Sequence, residues 1–312
     1  MRFIVPNKWF ITLFLVFLLG LGLSASAQEI RSVESAAVKI ADGVYLLNNL
    51  QCNVVAVIGP DGILLIDNGS ARRADNLKEM MAGFDTGALR IIVNTHYHFD
   101  HVGNNELLAK NGVVIVAHVN TRRRMLAEWR IPDKWGLNYP AIPPYPEVAV
   151  PKVTFVDTLN IHFNGQKIEA VHFPNAHSDA DIAVFLRDTN VLHTGDIYLS
   201  NGFPIIDSFH GGTIDGVIAA VDALVDLIND HTKVVPGHGP VSNRQELRDY
   251  RKMLTTARDR IAALIEEGKT LEEIVAADPT AGLYRRGRSW LPPKLFIVTV
   301  YADLSRGRSP KR

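Results

Sequence analysis

The chain has a single cysteine, Cys52, among 312 residues. That excludes an intramolecular disulfide and any zinc site built from several cysteines. There is no excess of charge of either sign, with 33 Lys+Arg against 33 Asp+Glu. A general nucleic-acid binder would show a basic surplus. Past Leu23 no uninterrupted apolar stretch is long enough to cross a bilayer, which excludes a polytopic membrane protein. Low-complexity segments and fixed-period repeats are missing, and so is a Gly-x-Ser-x-Gly elbow for a serine nucleophile. What the chain does have is 47% hydrophobic residues, enough for a sizeable core, and 11 histidines. At roughly 150 residues per domain, one large domain or two small ones fit.

The start of the chain reads as an address. Arg2 and Lys8 precede a 15-residue uncharged run, Trp9 to Leu23, and small residues Ala25 and Ala27 follow. This order predicts a secretory signal over 1–27, cut before Gln28. The alternative, a retained anchor, falls short of the ~20 residues that span a bilayer. Removing 1–27 takes away only Arg2 and Lys8 among charged residues and leaves a slight acidic excess. The expectation is an exported protein without stable membrane insertion after cleavage, periplasmic in a Gram-negative source and secreted otherwise.

The rest alternates strands and helices. Asn53–Ile58 and Ile63–Asp67 flank Gly59-Pro60-Asp61-Gly62, a hairpin signal. Ala71–Met81 reads as a helix, Ile91–Asn94 as a buried strand, Asn104–Lys110 as a helix, Val113–Ala117 as a strand and Arg122–Trp129 as a helix. Six prolines between Ile131 and Pro151 fix φ and remove donors, so that stretch is an irregular strap. Trp129, Trp135, Tyr139 and Tyr145 lie in or beside it, as active-site wall or as packing over the core. Strands follow at Val153–Val156, Asn160–Phe163 and Lys167–His172, with an Asn164-Gly165 turn. Ile182–Leu186 pairs with Asn190–Thr194, Ile214–Leu227 is an amphipathic helix and Lys233–Val235 a short strand. Gln245–Glu267 is helical, Thr270 and Glu273 have capping-box spacing, and Pro292-Pro293 opens a last helix. This alternation favours an α/β fold with helices on the outer faces of its sheets.

The chemistry concentrates in Thr95-His96-Tyr97-His98-Phe99-Asp100-His101, directly after a buried strand. Histidine and aspartate are seldom buried unless paired or metal-bound. Imidazole and carboxylate together suit zinc and similar divalent metals. On such a loop, residues i and i+2 converge on one metal, while i+4 and i+5 turn toward a second.

This H-x-H-x-D-H segment resembles the signature of the metallo-β-lactamase superfamily. Later pieces appear in that superfamily's order: Pro174-Asn175-Ala176-His177-Ser178-Asp179, His193-Thr194-Gly195-Asp196 and Pro236-Gly237-His238-Gly239. The Asp61–Gly69 segment resembles its hairpin, and the likeness covers roughly residues 40–240. The resemblance implies an αβ/βα four-layer sandwich with C-terminal helices and a site at one rim. It implies that His96, His98 and His177 hold one metal, that Asp100, His101 and His238 hold a second, and that Asp196 bridges them. Two divalent ions are expected, zinc first, with iron or manganese open. The domain expectation is a metal-binding unit over 28–241 with 242–312 as a helical extension of the same domain. That extension could cover the core, form a dimer contact or wall the pocket.

A hydroxide between two cations is a nucleophile at neutral pH, because metal binding lowers the pKa of water to about 7. A metal can also stabilise the oxyanion that develops at a carbonyl. Asp100 is then both ligand and the catalytic orienter of the hydroxide. The expected activity is hydrolysis of a small ester, lactone or thioester. The alternatives are an exported β-lactamase and, in another class, a metal-binding protein without turnover. Asp196 stands where many β-lactamases place cysteine, and so resembles glyoxalase II and the quorum-quenching lactonases. Glyoxalase II works where glutathione is abundant, which suits an exported protein poorly. Superfamily members that act on nucleic acid carry extra domains, and the persulfide-oxidising iron branch also fits export poorly. The partner expected is a small-molecule substrate and not nucleic acid; oligomeric state is left open.

Other residues carry weaker expectations. Cys52 reads as a small buried hydrophobe. His118, His162, His172, His210 and His231 read as structural or surface histidines. His193 is a candidate to support a ligand. Asp179 and Asp181 either orient His177 or cap a turn. Tyr198–Gly212 should face the metals and help select substrate. Arg122-Arg123-Arg124 and Arg285-Arg286-Gly287-Arg288 read as solvated charge runs.

Overall fold

A computed structural model of the chain describes residues 36–84, 87–110, 112–128, 141–283 and 291–306. The signal segment, Trp129, Trp135, Tyr139 and the arginines at 285, 286 and 288 lie outside the described residues. Among those described, no helix is long and apolar enough to cross a membrane.

The first half begins with β1 (Ala37–Ala41), β2 (Val44–Leu47), β3 (Val54–Gly59) and β4 (Gly62–Ile66). Helix α1 (Ala74–Ala82) leads to β5 (Leu89–Val93), and α2 (Phe99–Val102) and α3 (Asn105–Ala109) lead to β6 (Val114–His118). Then α4 (Val119–Met125) precedes β7 (Val153–Phe155). These seven strands form one sheet in sequence order. β1 to β4 pair antiparallel, and β4 to β7 pair parallel.

The second half has β8 (Thr158–Phe163), β9 (Gln166–His172), β10 (Ile182–Leu186), β11 (Val191–His193), α5 (Ile214–Leu227) and β12 (Lys233–Val235). It closes with α6 (Arg244–Glu266), α7 (Leu271–Ala277) and α8 (Pro293–Leu304). Its five strands are ordered β12-β11-β10-β9-β8.

Period-two alternation decides how the layers stack. Val55, Val57, Leu64, Ile66, Val93 and Val116 face the second sheet, and meet Ile168, Ala170, Ile182, Val184, Leu186 and Val235 there. Their chain neighbours Val54, Ala56, Ile63, Leu65, Ile92 and Ile115 face outward onto Leu77 and Met80 of α1. The second sheet repeats the scheme. Ala183, Phe185, Leu192 and Val234 face away, toward Val217, Val221, Leu254, Ile261, Phe296 and Val300 of α5, α6 and α8. Both faces of both sheets are therefore apolar, and the product is the expected four-layer sandwich. The C-terminal helices cover the core of the second sheet, the first of the three roles left open for them.

Local signals place the ends. Asn164 (φ 53°) and Gly165 (φ 71°) adopt the left-handed pair that a two-residue hairpin turn requires. Thr270 and Glu273 complete the capping box, with both reciprocal hydrogen bonds formed. β1, β2 and α4 differ from expectation. β1 and β2 carry no strong strand signal and exist by pairing onto β3. Helix α4 starts at Val119 rather than Arg122 and ends at Met125, and its cap is the His118 imidazole accepting from Asn120 N.

Candidate metal centre

Strand direction assembles the site. β4 and β5 run parallel, as do β11 and β12, and β9 runs the same way as β11 because both pair antiparallel with β10. The segments bearing His96 to His101, His177, Asp196 and His238 follow the C-terminal ends of β5, β9, β11 and β12. They meet at one rim of the sandwich.

All seven expected ligand residues are brought together there. His98 Nδ1 lies 2.9 Å from His177 Nε2. Asp196 Oδ2 faces that half, 4.0 Å from His96 Nε2 and 3.9 Å from His177 Nε2. Its other oxygen, Oδ1, lies 3.2 Å from His101 Nε2 and 3.3 Å from His238 Nε2. Asp100 Oδ2 completes the second half, 3.4 Å from His238 Nε2 and 3.8 Å from His101 Nε2. One carboxylate thus addresses two donor clusters, each within the span of a single ion. The turn at Gly237 permits this closeness, because a Cβ there would sit 2.0 Å from Asp196 Oδ1.

Outer partners fix the tautomers. His177 Nδ1 donates to Ile205 O at 2.7 Å. His98 Nε2 donates to Asp207 Oδ2 at 3.1 Å. His101 Nδ1 donates to Asp67 Oδ2 at 2.7 Å. Thr95 Oγ1 donates to Asp67 Oδ2 at 2.8 Å and takes the His96 Nδ1 proton at 3.0 Å. With their outward nitrogens protonated, the inward nitrogens of His96, His98 and His177 carry lone pairs when these rings are neutral. Two such lone pairs, on His98 and His177, face each other at 2.9 Å and need a cation or a shared proton between them.

A metal fits this arrangement. His96 Nε2, His101 Nε2 and Asp196 Oδ1 are buried and have no hydrogen-bond partner. Orphans of that kind are costly unless something binds them. Burial and the neighbouring His101 hold the His96 imidazole well below its usual range, toward the neutral donor a metal requires. Burial opposes the charge on Asp196, yet His238 and His101 hold its carboxyl well below the usual range.

The sequence reading missed the outer partners. Asp67 is fully buried, takes Thr95 N at 2.8 Å as well as the two bonds above, and has φ 60°. A non-glycine residue in that region stores strain that its surroundings must hold. Its signal was a carboxylate at the end of an apolar strand. Asp207 gathers three donors on Oδ2: Tyr97 Oη at 2.6 Å, His98 Nε2 and His210 Nδ1 at 2.7 Å. Nothing in its loop sequence marks it beyond its place after Asp196. Asn53 Nδ2 donates to Pro236 O and Gly239 O and so holds the turn that carries His238.

The remaining candidates separate clearly. Asp181 accepts from Ser178 N and Oγ, which is turn capping. Asp179 takes Arg123 and Arg124, while Arg122 bonds Pro151 O and Glu147, so this charge run staples loops together rather than only facing solvent. His193 donates to Asn53 O and takes Gly195 N, which fixes the backbone before Asp196 and orients no ligand ring directly. His118 and His172 stack on each other at 3.6 Å. Cys52 is buried among Leu47, Leu50 and Leu77, beside Asp67 and His101, and burial pushes its thiol up to about 12. Tyr145, from the end of the strap, packs against Tyr97, Val102 and Met125.

Comparison with known proteins agrees with this geometry. The family model described as the metallo-beta-lactamase superfamily matches residues 47–238. A probable metallo-hydrolase of Bacillus subtilis is 24% identical over 61% of this chain and 86% of its own length. A type 2 metallo-beta-lactamase of Bacteroides fragilis is 23% identical over 69% of this chain and 83% of its own. A hydroxyacylglutathione hydrolase of Haemophilus influenzae is 26% identical over 56% and 79%. Among solved structures, a sec-alkylsulfatase from a Pseudomonas species superposes with TM-score 0.65 at 18% identity, covering 86% of this chain and 50% of that one. This chain thus spans half the length of that sulfatase. A metallo-beta-lactamase from Pontibacter korlensis gives 0.55 at 18% identity over 71% and 99%. At such identities these structures share the fold.

Proposed function

The chain belongs to the metallo-β-lactamase superfamily and is a metallohydrolase of it; from that premise we propose that it cleaves a small ester, lactone or thioester at a two-metal site. His96, His98 and His177 would hold one ion, Asp100, His101 and His238 the other, and Asp196 both. Zinc is the ion proposed, since imidazole and carboxylate without thiolate suit it. When bound, the ions supply the acidity that makes water nucleophilic near pH 7 and stabilise charge developing on a carbonyl oxygen.

The protein's own groups do the rest. Asp100 keeps an 11% exposed side chain, so it can accept a hydrogen bond from the attacking water and aim it. The outward imidazole hydrogen bonds hold the donors in place before substrate arrives, so little reorganisation is needed during the reaction. Tyr145, packed against Tyr97 between the two donors His96 and His98, and the segment 198–212, which carries outer partners of His98 and His177, would select the acyl group. Export by residues 1–27, with 242–312 as part of the same domain, completes the proposal. The packing of α6 and α8 onto the shared core supports the domain assignment.

The observation that carries the substrate reading is Asp196, a carboxylate with one oxygen toward each half, where a thiolate would serve one side only. The hydroxyacylglutathione hydrolase relative supports a thioester or related ester. The test is a paired screen on purified protein of measured metal content, with a chromogenic cephalosporin beside lactones and thioesters. Chelator-sensitive turnover of a lactone or thioester, with the cephalosporin intact, is expected. Cephalosporin cleavage without ester or lactone turnover would overturn the reading in favour of a β-lactamase.

A further inference from the structure

The two halves of the centre are held from different parts of the chain. Outer contacts of His98 and His177 converge on the segment 205–214, while the third donor of that half, His96, is held through Thr95. Ile205 O takes the His177 imidazole, Asp207 N donates back to His177 O at 2.8 Å, and Asp207 Oδ2 takes His98. The segment is tied to the C-terminal helix at two points. Arg306, just past the end of α8, donates from its guanidinium to Ser208 O at 2.7 Å. Asp303 within α8 takes Ile214 N, the first residue of α5, at 2.8 Å. Arg306 and Asp303 also lie 3.9 Å apart as an ion pair. The other half is supported from the first sheet, by Asp67 behind His101 and by Asn53 behind the turn of His238, and Asp67 also reaches His96 through Thr95.

We propose that Arg306 and Asp303 are positioning residues, and that through the 205–214 segment the C-terminal helix sets the metal affinity of the His96/His98/His177 subsite alone. This rests on the two-metal reading above. The physical argument is one of pre-organisation. His177 and His98 keep their lone pairs inward only while Ile205 O and Asp207 stay in register, and outer partners of metal ligands govern affinity through that orientation. Arg306 is 49% exposed, so its removal leaves the core intact, while its bond to Ser208 O ties the middle of the segment to the end of α8. Asp179 N also holds the segment, at His210 O, which limits the effect to a loosening rather than a collapse.

The test is titration of metal-free full-length protein with zinc against a chromophoric chelator, resolving two binding steps. His98→Ala and His238→Ala identify which step belongs to which half. Arg306→Ala is expected to weaken the His98-dependent step about three- to tenfold and to leave the His238-dependent step within about twofold, since contacts one step further out act less than direct outer partners. Arg306→Lys, which keeps one donor, should recover most of the loss. Asp303→Asn should act in the same direction and on the same step. Equal weakening of both steps alongside a lowered melting temperature would show a general structural role and overturn the inference. Unchanged affinities in Arg306→Ala would overturn it as well. If wild-type protein took up fewer than two zinc ions, the two-metal reading would fall first and the inference with it. Two normal steps without turnover of any ester would instead overturn the substrate reading alone.

Discussion

The His101 half and the His177 half of the centre use the same donor chemistry and differ in what stands behind it. Behind His101 is Asp67, fully buried, at the end of a central strand of the first sheet. Behind His98 and His177 is a segment between two elements, whose Asp207 has an 11% exposed side chain. One half is built on sheet; in the other, His98 and His177 lean on a loop tied to a distant helix while His96 shares the sheet support through Thr95. Four of the seven donors lie within the stretch 96–101, yet adjacency in sequence does not give them equal support. A loop-borne ligand is as rigid as the contacts that pin the loop.

Asp196 is where the comparison should fail, because both halves share it. Asp196→Asn should lower kcat/KM by on the order of 10³-fold, equivalent to about 4 kcal/mol of transition-state stabilisation, and weaken zinc uptake at both steps. Steady-state kinetics with metal analysis checks this, and loss at one step only would break the picture of a shared carboxylate. Asp67→Ala should separate the halves through stability. It strands the buried Thr95 and His101 donors, at about 1–3 kcal/mol for each unsatisfied group. Denaturant unfolding should show a loss of about 3 kcal/mol, with the His238-dependent zinc step weakened more than the other. Asp207→Asn should do the converse, costing about 10- to 100-fold at the His98-dependent step. Its unfolding midpoint should move less than that of Asp67→Ala.

The smallest effect concerns the stacked pair His118 and His172, which belongs to neither half. Burial, and after it the neighbouring His172, push His118 down to about 4 from its usual 6.5. The unfolded chain then binds a proton below about pH 6.5 that the native state refuses until about pH 4. Stability contributed by neutral His118 is therefore complete above that window and is lost as pH falls through it. The full shift is equivalent to about 2 kcal/mol between pH 7.5 and pH 5; with solvent screening removing about half of it, wild type should lose about 1 kcal/mol more than His118→Gln over that range. Parallel pH profiles for the two proteins would show that acid sensitivity resides in the metal centre instead.

Much of this was legible beforehand for local reasons. The Asn164-Gly165 turn, the Thr270 capping box and the start of α8 at Pro293 depend on a few neighbouring residues. His96, His98 and His101 were legible as candidate ligands because so many polar groups right after an apolar strand have few structural explanations. β1 and β2 were not, since short strands at a sheet edge are specified by their partner more than by their own residues. The α4 cap was not, because an imidazole took the role usually played by Ser, Thr, Asp or Asn. The arginines at 122–124 looked like a solvated face because Asp179 and Glu147, their partners, lie far along the chain.

The sequence by itself determined the metal-capable cluster at 96–101, sheets with helices on their outer faces, and the absence of thiolate ligands from the motifs, while the family resemblance added the two-sheet sandwich and His177, Asp196 and His238. Composition and spacing suffice for the first three, because donor type and hydrophobic period are properties of short stretches. Only the tertiary structure decided which nitrogen of each imidazole faces inward, that Asp196 turns one oxygen to each half, and that the last helix reaches back to the segment behind His98 and His177. Those outcomes depend on hydrogen bonds between residues tens to more than a hundred positions apart, such as Tyr97 with Asp207 and Ser208 with Arg306. No local pattern encodes such pairs; packing of the two sheets and their helices brings them within reach.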